Sequence, residues 1–337
     1  MYNEINKLKT LTEAIECFAD PNNAHELMVR IRWPGGEVCC PNCGSLRVRY
    51  IQTRRQWECR EQHAKRRFSL KTGTIMEESP LALKTWLAAI WLEINAKNSI
   101  SSCELARALG ITQKSAWFVL HRVRFAIKQR SFEKMGRNGV PVEADETFVG
   151  GLAKNMHKKE REAKIKGTGG SNKTAVMGLL ERHDGKKHST IRAEVLSNVQ
   201  RQTLHAIIHK HVEPGAHLMT DELSAYKALY TDFEHQFVDH TNRYAEGIVH
   251  TNGLENFWAL FKRCIKGTHI SVEPFHLAAY LDSEAFRFNN RKVKDGDRFM
   301  LALGGISGKR LTYKALIGAL EGVQSGDKTG AKENIPN

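Results

Sequence analysis

The stretch VPVEADETFVGG, residues 140–151, is predicted to be the first strand of a sheet and so indicates the fold class. Its apolar residues fall at strand-like positions and it ends in a glycine pair, which is typical of a strand that closes in a turn. Further along the chain lie strand-like segments at 174–182, 187–196 and 216–222, a helical pattern at 199–212 and a helical turn at 223–229. Three successive strands followed by alternation predict a mixed sheet with helices packed on its faces.

Three carboxylates interrupt these apolar elements. Asp145 lies inside the first strand, Asp221 follows the fourth, and Glu255 lies on a helix predicted within HTNGLENFWALFKRCIKG, residues 250–267. If the two strands are neighbours and the helix packs across their ends, the carboxylates converge and repel one another unless cations lie between them. Magnesium prefers such hard oxygen ligands, and two ions roughly 3.5–4 Å apart can clamp the oxygens of a displacement at phosphorus.

The helix that carries Glu255 also carries cations. Lys262 follows Glu255 by 7 positions (262 − 255), two helical turns along the same face, so its ammonium could reach a phosphate beside the acids. Arg263 is a second candidate for phosphate contact. The alternative is that these residues form the polar stripe of an ordinary amphipathic helix.

The overall charge favours a polyanionic partner. Lysine and arginine total 51 against 37 acidic residues, giving a formal charge of +14 over 337 residues. Such a balance usually indicates nucleic acid, whereas ribosome-associated and membrane-surface proteins are the alternatives. No apolar run approaches the roughly 20 residues that span a bilayer, and no signal-peptide core is evident, so we expect a cytosolic protein.

Four residues near the N-terminus predict a zinc ribbon. Cys40-x-x-Cys43 is followed 16 positions later (59 − 43) by Cys59-x-x-x-His63, and the two pairs can complete a tetrahedron around one structural zinc ion. Cys39 could replace Cys40, although Cys40-Pro-Asn-Cys43-Gly is the better turn. The ribbon is rich in arginine, including Arg54 and Arg55, which predicts phosphate contact. A merely solvated basic surface is the alternative.

A helix pair follows the ribbon. One helix is predicted to end at Gly110 and the next to begin after a Thr112 cap, which is typical of a helix-turn-helix. The predicted inward residues of the second helix are Ala116, Val119, Leu120, Val123 and Ile127, and the predicted outward ones are Gln113, Lys114, Ser115 and Arg122. Lys114 and Arg122 are therefore candidates for DNA contact, although many helix pairs never touch DNA. Upstream, helices are predicted at 11–19 and 22–33, capped by Thr10 and Asn22, and from about 83 to 94.

A Lys-rich insert separates the first two strands of the predicted sheet. Residues 154–173 contain seven basic and two acidic side chains, so they either contact DNA or only improve solubility.

The spacing of the acidic residues and the sequence motifs around them resemble those of a known family. Four residues resemble the D-D-E-K signature of bacterial insertion-sequence transposases. They are Asp145, Asp221 after 76 positions (221 − 145), Glu255 after 34 (255 − 221) and Lys262 after 7 (262 − 255). DETFVGG, MTDELSAY, HTNGLENFWALFKR and FRFNNR are similar to the ISXO2-like group, which also bears an N-terminal zinc ribbon. The ribbon here departs from the commoner pattern because its second pair ends in His63.

This resemblance implies an α/β multidomain protein with a ribonuclease-H-like mixed-sheet catalytic domain preceded by a zinc ribbon and a helix-turn-helix. The implied divisions are N-terminal helices at 1–35, the ribbon at 36–76, the helix-turn-helix region at 77–135, the catalytic domain at 138–300 and a C-terminal helix with a polar tail at 301–337.

The resemblance also implies chemistry and partners. Asp145, Asp221 and Glu255 would ligate two Mg²⁺ or Mn²⁺ ions, and the chain would bind the terminal inverted repeats of a mobile element. It would hydrolyse the phosphodiester at each end and join the freed 3′-hydroxyl to target double-stranded DNA. We expect a homodimer or higher homo-oligomer on DNA, near the bacterial nucleoid. The alternatives are a non-catalytic, domesticated DNA-binding regulator and a nuclease that cuts without strand transfer.

Overall fold

The computed structural model describes residues 8–128, 131, 133–151, 158, 162, 173–183, 185, 188–221, 223–226, 228–237 and 250–319. Most of the Lys-rich insert at 154–173 and the tail beyond residue 319 lie outside these residues. Within the described ranges, no helix is both long enough and apolar enough to cross a bilayer.

Two short helices open the described chain, α1 (Leu11–Ala19) and α2 (Pro21–Arg32). Thr10 caps α1 as predicted, since its hydroxyl accepts from the N–H of Glu13 while the Glu13 carboxylate accepts from the N–H of Thr10. The predicted Asn22 cap of α2 is wrong. Asp20 caps this helix by accepting from the Asn22 N–H at 2.7 Å, and Pro21 occupies the first turn, where a missing N–H is harmless.

The ribbon is a small antiparallel sheet of strands β1 (Val48–Ile51), β2 (Gln56–Cys59) and β3 (Arg67–Phe68) in the order β1-β2-β3. Trp57 of β2 is buried between the ring of His25 from α2 and the ring of Phe68 from β3, and it stacks on both. The aromatic packing therefore attaches the ribbon to α2 and gives this small sheet an apolar side.

Three helices follow, α3 (Leu83–Asn95), α4 (Ser102–Leu109) and α5 (Gln113–Ile127). The predicted turn between α4 and α5 is confirmed, because Gly110 adopts a left-handed conformation and the Thr112 hydroxyl accepts from the Ser115 N–H at 3.2 Å. All five residues predicted to face inward on α5 are buried. The helix pair is thus present, and its role in binding DNA stays a prediction.

Arg122 corrects the predicted outward face of α5. Its side chain is only 6% exposed, and its guanidinium donates to the carbonyl oxygens of Leu311 at 3.1 Å and Glu77 at 3.0 Å. The same guanidinium lies 4.1 Å from the centre of the Phe118 ring. Arg122 therefore joins α5 to two other chain segments, because a guanidinium can satisfy backbone carbonyls and cover an aromatic ring at once. We no longer assign it to DNA contact.

The predicted mixed sheet is confirmed, with one strand added. It contains β4 (Val142–Val149), β5 (Thr174–Glu181), β6 (Thr190–Val195), β7 (His217–Thr220) and β8 (Glu234–Phe237) in the order β6-β5-β4-β7-β8. β4, β5 and β6 form an antiparallel meander, whereas β7 is parallel to β4 and β8 is parallel to β7. The unpredicted β8 is a short, mostly exposed edge strand. The predicted helical turn at 223–229 forms two 3₁₀ turns, Ser224–Tyr226 and Leu229–Thr231.

Helices cover both faces of this sheet. α6 (Arg201–His211) packs on one face, and α7 (Asn252–Arg263) packs on the other with α8 (Leu277–Asn289). α7 continues as a π-helical segment, Cys264–His269. The chain then forms α9 (Asp295–Gly304) and α10 (Tyr313–Leu316). α9 returns to the N-terminal core, where its Phe299 packs against Phe18 of α1.

Candidate functional site

Asp145 and Asp221 lie on neighbouring strands. β4 pairs with β7 so that Val142 lies opposite Leu218 and Glu143 opposite Met219. The same offset of 76 positions (218 − 142) carries Asp145 to Asp221, which directly follows the end of β7. The two carboxylates repel each other electrostatically. The prediction that the first and fourth strands are neighbours is therefore confirmed, and two of the three acids meet at this edge.

Asp145 carries a strongly perturbed carboxyl group. The pKa of Asp145 is raised to about 7, mainly because the carboxyl group is buried and partly because the carboxylates of Glu146 and Asp221 repel its charge. One hydrogen bond acts in the opposite direction, because the Nε1–H of Trp258 donates to Asp145 Oδ2 at 2.8 Å. Burial and repulsion together therefore outweigh the hydrogen bonds that favour the ionised carboxylate of Asp145.

Glu146 adds a carboxylate from the other face of β4. The hydroxyl of Tyr226 donates to Glu146 Oε2 at 2.5 Å, and Tyr226 is buried. Burial raises the pKa of Glu146, and repulsion from Asp221 contributes. Strand alternation points Glu146 away from the face of Asp145, towards Tyr226. The sequence did not reveal that Glu146 remains close enough to interact with Asp145 and Asp221.

Glu143 has a structural role. It is only 1% exposed, forms a 2.7 Å ion pair with Arg182 and accepts from the N–H of Leu254 in the first turn of α7. A side chain at Gly253 would come within 2.8 Å of the Glu143 carboxylate. Glu143 shares the face of Asp145 by strand alternation, and it caps α7 and fixes where this helix meets β4.

Glu255 lies in the first turn of α7 and is exposed. Among the described residues, the ligand atoms of Asp145, Asp221 and Glu255 do not all fall within 4.8 Å of one another. The structure thus brings Asp145 and Asp221 together and leaves Glu255 on the adjoining helix. Glu255 lies one turn before Trp258, whose indole reaches Asp145, and its convergence with the two strand acids stays a prediction.

Lys262 lies on the same stripe of α7 as Glu255 and Trp258. It is half-buried, and burial lowers its pKa with a further contribution from Lys266, whereas attraction to Asp145 acts in the opposite direction. The ammonium therefore lies within electrostatic reach of the acids. Arg263 is exposed in the last turn of the helix.

The acidic edge fits a divalent cation by its donor chemistry. Its carboxylates supply hard oxygen ligands; burial is the main cause of the raised pKa of Asp145, and a bound cation would relieve the repulsion from Glu146 and Asp221 that adds to it. Asp145, Asp221 and Glu255 are the residues that would hold such an ion.

The second candidate metal centre lies in the ribbon. Cys40, Cys43, Cys59 and His63 place one ligand atom each within 4.8 Å of one another. The Sγ atoms of Cys43 and Cys59 are 3.6 Å apart, and Cys40 Sγ lies 3.5 Å from His63 Nε2. A Gly44 residue at φ +74° tightens the turn that carries the first pair. Three thiols and an imidazole at these separations fit one tetrahedral zinc ion, with His63 in the fourth position.

The remaining predicted DNA contacts lie on exposed surfaces. Arg54 of the ribbon is exposed, and Lys114 of α5 is exposed with its ammonium 5.0 Å from the ring centre of Tyr313. Arg55 is exposed, yet its guanidinium donates to the Pro21 carbonyl at 2.8 Å and to Asn22 at 2.9 Å. Arg55 therefore also fixes the ribbon against α2.

Comparisons with known proteins agree with this arrangement. The model of an ISXO2-like transposase domain matches residues 138–289, and that of a transposase zinc-ribbon domain matches residues 20–63. The chain is 28% identical over 279 residues to an uncharacterized protein in transposable element ISH50 of Halobacterium salinarum, covering 79% of this chain and 90% of that protein. It is 34% identical over 101 residues to an uncharacterized transposase-like protein of Haemophilus influenzae, covering 30% of this chain and 81% of that protein.

Proposed function

Because the chain belongs to the ISXO2-like transposase family, we propose that it binds the ends of a mobile DNA element and catalyses metal-dependent cleavage and strand transfer. The single observation that carries this proposal is the pairing of β4 with β7, because its register brings Asp145 and Asp221 close together; we infer that α7 supplies Glu255 and Lys262 to the same edge. The strand order, a meander continued by two parallel strands, supports a ribonuclease-H-like catalytic domain.

The acids supply ligands and the lysine supplies a countercharge. Asp145, Asp221 and Glu255 would hold two Mg²⁺ or Mn²⁺ ions, and such ions would activate the attacking oxygen and stabilise the leaving oxygen at phosphorus. Lys262 points its ammonium at the DNA phosphate beside them. Water is the nucleophile for cleavage, and the freed 3′-hydroxyl is the nucleophile for joining. The same residues serve both steps, because both are displacements at a phosphodiester.

Recognition of the DNA belongs to the N-terminal half. The exposed side chains of Arg54, Arg55 and Lys114 contact phosphates, and the ribbon and the α4–α5 pair bind the inverted repeats of the element. One zinc ion holds the ribbon in shape. Because two ends are processed together, the active form on DNA is a homodimer or a higher homo-oligomer, acting at the nucleoid.

A supercoiled plasmid that carries the element ends tests this function. With Mg²⁺ or Mn²⁺, a transposase yields cleaved ends and joined products, whereas a nuclease stops at cleavage and a regulator binds without cutting. The matched variant is Glu255→Gln, which keeps the size of the side chain and removes its charge. We expect this variant to bind the ends and to lose cleavage. Full cleavage by Glu255→Gln would contradict the assignment of this acid.

A further inference from the structure

Trp258 stands at the centre of the charged stripe on α7. Glu255 precedes it by three positions and Lys262 follows it by four, so the three side chains lie on neighbouring turns of one helix face. Trp258 is 4% exposed and belongs to the apolar core between α7 and the sheet. Its one polar group, the indole N–H, donates to Asp145 Oδ2 at 2.8 Å. The ring therefore joins the helix of Glu255 to the strand of Asp145.

Gly178 of β5 makes room for this bond. It lies directly opposite Asp145 in the antiparallel register of β4 and β5. A Cβ atom at this position would lie 2.7 Å from Trp258 Cζ2 and 2.7 Å from Leu254 Cδ2, closer than real contacts allow. The indole can pack against the backbone of β5 and still reach Asp145 only because residue 178 has no side chain. The close approach of α7 to the sheet therefore depends on a residue without a side chain at position 178. Apolar packing alone would not require a glycine there.

We propose that Trp258 is a positioning residue for catalysis, which orients the Asp145 carboxylate and sets the position of Glu255 relative to it. Gly178 provides the space that Trp258 needs to make this bond. This inference rests on the proposed function, since it assigns Trp258 to the same acidic site. The bond engages Oδ2 and so restricts rotation of the carboxylate. Because Trp258 and Glu255 share one rigid helix, the same bond fixes the distance between the strand acid and the helix acid.

The physical effect is specific to the N–H group. The hydrogen bond fixes the position of Asp145 Oδ2 relative to α7, so that the carboxylate keeps one orientation. The rest of the indole contributes apolar burial, which phenylalanine largely preserves. Loss of the N–H alone should therefore reduce catalysis more than it reduces stability.

Two tryptophan variants separate positioning from packing. Trp258→Phe removes the bond to Asp145. The matched control is Trp86→Phe, because Trp86 is also buried and its Nε1–H donates to the Ser79 hydroxyl at 3.0 Å, in the helical region. We expect Trp258→Phe to lower the rate of end cleavage by about 10- to 100-fold, the range that a lost hydrogen bond to a charged group covers, with unchanged affinity for the ends. Trp86→Phe should cleave at the wild-type rate.

A spectroscopic measurement gives a readout that does not depend on activity or on folding of the Trp258 variant. The protein contains six tryptophans, so ¹⁵N-indole labelling gives six N–H signals. We expect Asp145→Asn to move the signal of Trp258 and to leave that of Trp86 in place, and Mg²⁺ to have the same selective effect on the wild-type protein. No movement of the Trp258 signal with either change would overturn the inference.

Wild-type protein and Trp258→Phe, assayed side by side, separate a failure of the positioning role from a failure of the proposed function. If wild-type protein cuts and joins the plasmid but Trp258→Phe cuts at the same rate, the positioning role is wrong and the proposed function stands. If wild-type protein binds the ends and never cuts, the proposed function itself fails. Gly178→Ala provides a second approach, because its methyl group must displace the indole. We expect it to reduce cleavage as Trp258→Phe does, and wild-type cleavage by Gly178→Ala would also contradict the inference.

Discussion

Asp145 shows what a single residue reveals before its surroundings are known. A carboxylate inside an apolar strand indicated a site, and its spacing from Asp221 matched the register that β4 and β7 adopt. Trp258, the hydrogen-bond partner of Asp145, and Tyr226, the partner of Glu146, could not be predicted, because a tryptophan on an apolar helix face and a tyrosine in a turn look like core residues. Their polar groups gain a role only when the chain brings β4 against them.

The pKa of Asp145 predicts how stability depends on pH without a bound cation. The folded pKa, about 7, lies above the ordinary value of 3.8, so between these pH values the native state binds more protons than the unfolded state. Stability is therefore greatest below about pH 4 for this group and declines as pH rises towards 7. We expect Asp145→Asn to flatten the decline in urea unfolding measured across this range. An identical slope in the variant would show that other groups cause it.

Lys262 predicts a change in the salt dependence of DNA binding. A single phosphate contact contributes about one unit to the slope of log affinity against log salt. We expect Lys262→Ala to reduce the slope by about this amount, as measured by fluorescence anisotropy with an end duplex. Lys9→Ala removes the same charge from an exposed position far along the chain and is the control. If both variants keep the wild-type slope, Lys262 is an ordinary surface residue.

At the scale of elements, local sequence signals predicted most of the architecture. The Gly110 turn, the Thr112 cap and the strands of the central sheet lie close to their predicted positions, because caps and periodicity are encoded within a few residues. Strand β8 was missed because a short, exposed edge strand has no apolar alternation. The outward placement of Arg122 failed because its partners, Glu77 and Leu311, come from distant segments.

The ribbon predicts a dependence on zinc. Removing one thiol ligand should release the ion and unfold the β1–β3 sheet, since so small a module has little apolar core of its own. We expect Cys43→Ser to lose its zinc by atomic absorption and to bind end DNA more weakly. Cys103→Ser, which changes an exposed cysteine outside the cluster, should retain its zinc. Full zinc content in Cys43→Ser would refute the ligand assignment.

In the molecule as a whole, a buried charged network joins the N-terminal helical region to α8, the helix that packs on the five-stranded sheet. Glu93 of α3 is fully buried and pairs with Arg124 of α5 at 2.9 Å, and its Oε1 also accepts from the Ser283 hydroxyl of α8. Arg287 of α8 donates to the Glu93 carbonyl and to Ser283. No sequence pattern predicted this network, since its members are separated by up to 194 positions (287 − 93).

Breaking the network should destabilise the whole protein. Glu93→Gln leaves two buried guanidinium groups without their full countercharge, and we expect a loss of about 3–5 kcal/mol in the free energy of unfolding. The control is Glu78→Gln, because Glu78 pairs with Arg310 on the surface and should contribute less than about 1 kcal/mol. Urea denaturation measures both. Equal effects of the two variants would show that the buried network does not hold the regions together.

We propose that Glu255 joins Asp145 and Asp221 around divalent ions when an element end is bound. Anomalous diffraction from a crystal of the protein with an end duplex and Mn²⁺ locates these ions directly. We expect manganese peaks coordinated by oxygen atoms of all three carboxylates, beside the phosphate that is cut. Manganese bound elsewhere, with Glu255 still turned to solvent and the phosphate away from Asp145 and Asp221, would contradict it.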